Sequence, residues 1–187
     1  MNELRAAICT TAILLSAGCS FSQNPLSSLD AAVPDHDLYG VWVRKDLWGN
    51  HYTMIGPNPD KEGVPKGLLR IVEATDSKSQ NAPLDVLALA TTIGDSRYLS
   101  VIFGPEKTNK EAPDERAFVL CKYRVVDDTC EIFNLDGKFI REQIRTGKIK
   151  GDSSALTAST GELREWVEKN DTRIFTEKQV FRRMPLK

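Results

Sequence analysis

Short stretches along this chain alternate apolar and polar residues, and a two-residue period reads as β-strands. The first stretch is Leu38-Tyr39-Gly40-Val41-Trp42-Val43, which follows a cluster of turn-formers. Residues 52–55 form a second and 68–74 a third, separated by the turn-rich loop 56–67. Residues 84–92 carry two signals. Leu87-Ala88-Leu89-Ala90 favours a helix by propensity, whereas Thr91-Thr92-Ile93 favours a strand. A further strand is predicted over 98–103, then a charged loop over 104–115.

The clearest hairpin covers 117–136. Val119, Cys121, Tyr123 and Val125 share one parity, with Lys122 and Arg124 on the other. A two-residue turn at Asp127-Asp128 pairs Val126 with Thr129, Val125 with Cys130 and Cys121 with Asn134. Both cysteines then share a face with Tyr123 and Ile132, predicted to be the inner one. The cysteines are offset by four residues, about 13 Å along the strand. A disulfide needs Cα atoms within about 7 Å. The register therefore favours two free buried thiols, the other possibility being a different turn.

After a turn at Asp136-Gly137 the period changes. Phe139, Ile140, Gln143 and Ile144 share one side of a short helix that Gly147 stops. Short strands are predicted around Ile149 and over 155–158. Ser159 and Glu162 have capping-box spacing, and Leu163, Trp166 and Val167 give an apolar stripe. This predicts a helix over 162–169 ending at Asn170, then a closing strand over 173–183. The fold class is mainly β: an antiparallel, strongly bent or closed sheet with one late helix and a short second one.

The amino terminus has a different pattern. Residues 6–18 carry no charge, behind a single Arg5. The run is too short for a hydrocarbon layer about 30 Å thick, but it suits the apolar part of a signal peptide. Ser16-Ala17-Gly18-Cys19 then resembles the lipobox of bacterial lipoproteins, although the usual Leu three places before the cysteine is Ser16. The resemblance implies cleavage before Cys19 and acylation of its thiol and new amino group. It also implies sorting: Ser20 is not the aspartate linked with inner-membrane retention, so the expected address is the periplasmic face of the outer membrane in a diderm cell. The membrane lipid met through acylated Cys19 is the expected partner. The chain divides into a signal peptide (1–18), a lipidated cysteine with a flexible tether (19–36) and one domain (37–187).

Composition narrows the partners. Of 187 residues, 25 are Lys or Arg and 26 are Asp or Glu, for a net charge of −1. That balance gives no support to nucleic-acid binding. At 41% hydrophobic residues, wholesale disorder is excluded.

Gly40-Val41-Trp42 resembles the Gly-x-Trp of the first lipocalin strand, and a helix before a final strand suits that general order. The likeness implies a lipocalin-like barrel in which Trp42 closes one end beneath an Arg of the last strand, here Arg182 or Arg183. One guanidinium is then expected within about 6 Å of the Trp42 ring. Gly40 is expected to relieve crowding where the strand crosses the barrel floor. The chain also resembles small lipoproteins of proteobacteria.

Catalytic chemistry finds little footing. Asp35-His36-Asp37 offers three metal-ligand types, but neighbouring side chains in an extended segment point apart. His51 has no nucleophile or orienting acid beside it in sequence, and it reads as a surface or rim histidine. No catalytic residue, metal ligand or cofactor is expected. The first functional reading is an exported lipoprotein binding a small apolar or amphipathic ligand. The alternative is a structural lipoprotein with a packed core that docks an envelope protein through loops 56–67 and 104–115. An enzyme ranks third.

Overall fold

The structure, a computed structural model, describes residues 21–47, 49–59, 65, 67–76, 83–104, 116–152 and 155–185. The expected signal peptide, Cys19 and most of loops 56–67 and 104–115 lie outside the described residues. Within them the strands are β1 (Phe21–Ser22), β2 (Gly40–Asp46), β3 (Gly49–Pro57), β4 (Leu69–Thr75), β5 (Leu84–Ile93), β6 (Ser96–Phe103), β7 (Ala117–Val126) and β8 (Thr129–Leu135). They are followed by helix α1 (Gly137–Arg145), strand β9 (Ala155–Leu156), helix α2 (Thr160–Ile174) and strand β10 (Phe175–Arg183).

Eight strands close into an antiparallel barrel in the order β6-β5-β4-β3-β2-β10-β8-β7, with β7 pairing back to β6. Seven of them form a meander. The eighth, β10, arrives only after both helices and fits between β8 and β2. Closure leaves no open edge among these eight. The two-residue strands β1 and β9 pair with each other in parallel, and β1 also pairs with β7.

The β7–β8 register matches the sequence-derived one at every pair named, Val126 with Thr129, Val125 with Cys130 and Cys121 with Asn134. Asp127 takes the left-handed conformation in the turn, φ 50°. Residues 84–93 form a strand, not a helix. Their apolar side chains serve two cores, so alternation is hidden. Ala88 and Ala90 pack inside the barrel, while Leu89 and Ile93 are buried on its outer face.

That outer face carries the second core. Leu163, Trp166, Val167 and Ile174 of α2 and Ile140 of α1 pack over Tyr98, Phe118 and Leu120. Asp136 caps α1 by accepting from the N–H groups of Lys138 and Phe139. The Ser159–Glu162 capping box starts α2. The helix runs past the expected stop at Asn170, whose side chain donates back to the Trp166 carbonyl at 2.8 Å. Asp171 then anchors the extra turn by accepting from Tyr98 Oη at 2.7 Å and from Lys122. Ile149 is buried in a bend and not in a strand.

The expected flexible tether needs correction over its described part. From Phe21 onward the chain is packed against the barrel. Leu26 is fully buried, its N–H donates to Ser100 Oγ, and Ser27 Oγ lies 2.8 Å from Thr91 Oγ1. Ala32 packs against Leu68 and Leu89, with Leu29 alongside. The few apolar residues of this segment are too widely spaced to signal an element. They become core only because the outer face of β5 and β6 is itself apolar.

Candidate functional site

One end of the barrel is sealed. The 3-10 turn His36–Leu38 crosses beneath it, burying Leu38 in the interior core. Trp42 Nε1 donates to the Leu38 carbonyl at 2.7 Å. Arg183, directly paired with Trp42, sets its guanidinium 4.2 Å from the indole centroid. Its Nη groups donate to the carbonyls of Tyr39 and Asp37. Arg182 points to the other face, donating to Thr129 Oγ1. Gly40 has φ +136°, and a Cβ there would meet Arg183 Nη1 at 3.0 Å. Both the conformation and the close approach call for glycine. Asp35 and Asp37 each accept from Arg97 on β6, and Asp35 also accepts from the Tyr123 hydroxyl at 2.6 Å. His36 lies against the Tyr39 ring, with centroids 4.9 Å apart. These groups make a floor.

Towards the other end the inward row changes character. Cross-strand partners share a face, so the register identifies the side chains that line the bore. Trp42 pairs with Thr53, and Thr53 with Glu73. Arg44 pairs with His51, and His51 with Thr75. Asn134 pairs with the core residue Cys121, and Gln179 with the core residue Ile132. One half of the wall, on β8, β10, β2, β3 and β4, therefore presents Asn134, Gln179, Arg44, His51 and Glu73. The other half, on β5, β6 and β7, presents Val86, Val101 and Val119.

At the next level up, Asp46, Thr75, Leu84, Phe103 and Ala117 are half-buried and Glu177 is exposed. Burial thus falls from the floor to this opposite end of the barrel, which we call the mouth. The 3.3 Å rise per residue puts the polar half-wall one to two residue steps below it.

The polar half-wall is only partly paired. Asp46 Oδ2 lies 2.8 Å from His51 Nε2 and 3.2 Å from Arg44 Nη2, so it bridges the two. His51 is 7% exposed, Asn134 8% and Glu73 4%. Among the described residues, His51 Nδ1, Arg44 Nε, Glu73 Oε2 and both polar atoms of the Asn134 amide have no hydrogen-bond partner. Each such group costs about 1–3 kcal/mol in a closed interior. Burial pushes the Glu73 carboxyl up to about 7, against the positive charge of Arg44 and the Thr53 hydroxyl, which pull it down.

The expectation of a rim or surface His51 is corrected here. Its strand position puts it on the same inward parity as Ile55, and the Asp46 carboxylate beside it comes from the facing strand. Sequence adjacency could not supply that pairing. The signal that marks this wall is present in the chain, however. Arg44, Thr53 and Glu73 each stand two residues from a core apolar residue, on three successive strands.

Cys121 and Cys130 are both free and buried. Burial, chiefly, pushes each thiol up to about 12, so neither is a nucleophile at neutral pH. Among the described residues, no group of three or more His, Cys, Asp or Glu is placed to hold a metal ion.

The architecture agrees in general terms with the lipocalin-like resemblance: an eight-stranded antiparallel barrel, with one longer and one shorter helix towards the carboxyl terminus. No family model, curated protein or solved structure matches the chain.

Proposed function

We propose that this chain is an exported lipoprotein that holds a small amphipathic molecule in the mouth half of its barrel. The observation that carries the reading is the division of the bore. An apolar wall of Val86, Val101 and Val119 faces a polar wall on which Glu73 Oε2, His51 Nδ1 and the Asn134 amide lack partners. Ligand sites commonly combine apolar surface with a few convergent polar groups. A structural barrel gains nothing from buried polar atoms left unpaired.

The same reading orients the molecule on a membrane. Phe21 stands edge-on to Phe103 at the mouth, with ring centroids 6.5 Å apart. Cys19 precedes Phe21 by two residues, a reach of about 7 Å. An acyl anchor on Cys19 would hold the mouth against the lipid surface. Leu47, 97% exposed at the β2–β3 turn, lies at this end and offers an apolar contact.

The test uses the chain from residue 19 with Cys19→Ala, which keeps the domain and removes the anchor site. Titration with N-phenyl-1-naphthylamine is expected to give a saturable, blue-shifted fluorescence rise at one site per chain. A linear, unsaturated response would overturn the reading and leave a structural lipoprotein with a filled core.

A further inference from the structure

We infer that the polar wall selects an amphiphile with a cationic hydrogen-bond-donor head, of the alkylamine class, over one carrying a carboxylate or phosphate on the same tail. The inference rests on the binding reading above and deepens it.

The first argument is the charge inventory of the bore. Arg44 is the cation of the polar wall, and it is already hydrogen-bonded to Asp46. The other two inward arginines belong to the floor. Arg97 is held by Asp35 and Asp37, and Arg183 is held by backbone carbonyls. On the same wall as Arg44 are two buried or half-buried carboxyl groups, Asp46 and Glu73, with Glu177 added at the mouth. Carboxyl groups therefore outnumber the arginine on this wall.

The second argument is the set of unfilled hydrogen-bonding positions. Glu73 Oε2 and Asn134 Oδ1 are acceptors without partners. Glu73 is on β4 and Asn134 on β8, four strands apart in a ring of eight, so their strands stand on opposite sides of the barrel. An ammonium carries three donors and no acceptor, which suits acceptors on opposite walls. A carboxylate or phosphate head would instead bring a second anion beside a buried carboxyl, which low-dielectric surroundings penalise. The raised pKa of Glu73 agrees with this: its ionised form has less positive charge nearby than its burial demands. A cation in the bore supplies what is missing.

The experiment compares decylamine, decanoate and decanol as competitors of N-phenyl-1-naphthylamine, using the Cys19→Ala chain at pH 8. The three share a tail and differ in head charge. Decylamine is expected to displace the probe at about one-tenth the concentration that decanoate needs, equivalent to a tenfold affinity ratio. In Glu73→Gln the two are expected to converge to within about threefold. Gln keeps the size and hydrogen bonding of a protonated Glu, and a thermal melt verifies that the variant is folded. Equal or tighter binding of decanoate overturns the inference, as does a preference for amine that Glu73→Gln leaves untouched. In both outcomes the probe still binds, so the broader reading survives. Failure of the probe itself removes both.

Discussion

Glu73 offers a quantitative check that needs no ligand. The residue is 4% exposed, and burial moves its carboxyl from an ordinary 4.5 to about 7. The folded state therefore binds this proton roughly 300-fold more tightly than the unfolded chain, about 3 kcal/mol. The sign follows from proton counts. Between 4.5 and 7 the folded chain retains a proton that the unfolded chain has lost. Stability must then fall as pH rises through that window. The full loss is present above about pH 8, and none below about pH 4. Glu73→Gln removes the ionisation. Urea unfolding of both proteins, followed by the fluorescence of the buried Trp42 and Trp166, isolates this group because other titrations cancel in the difference. The two should be equal to within about 1 kcal/mol near pH 4. The variant should be more stable by about 3 kcal/mol at pH 8.5. A difference that is flat with pH, or that favours wild type at high pH, would show that Glu73 ionises freely and that the wall is open to water.

The barrel floor gives a second set of expectations, read by the same unfolding assay. Trp42→Ala should cost about 3–5 kcal/mol, the range for a large buried aromatic. Arg183→Met should cost about 1–3 kcal/mol through the stacked cation and two carbonyl bonds. Arg182→Met should stay within about 0.5 kcal/mol, because that side chain is exposed. Equal losses from the two arginines would refute the assignment of Arg183 as the closing residue. At the amino terminus, metabolic labelling with a fatty acid should tag the full chain and be lost in Cys19→Ala. Equal labelling of both proteins would remove the lipid anchor.

Much of the fold could be read along the chain because it is governed by local rules. The parity of Val119, Cys121, Tyr123 and Val125, with a two-residue turn, determined the β7–β8 register and hence the separation of the two thiols. Ser159 and Glu162 marked the start of α2 because a capping box satisfies its own orphan N–H groups within four residues. Gly40, Trp42 and the paired arginines pointed to the floor. A closed barrel must bring its first and last strands together, and alternation lets only one of two adjacent residues turn in.

What the chain could not disclose depends on surfaces built by distant segments. Residues 84–93 lost their alternation because both faces of β5 are covered, one by the bore and the other by the packed amino-terminal segment. Leu26 and Ala32 became core because an apolar outer face awaited them, which no spacing within 21–36 records. The polar wall needed the closed ring itself. Arg44, His51, Glu73 and Asn134 come from strands up to 90 residues apart in sequence, and only closure of the barrel puts them around one bore. Local hydrogen bonding and side-chain period act over a few residues, so sequence determines them directly. Burial of a charged group is set by what the rest of the chain places around it, and that is a property of the tertiary structure alone.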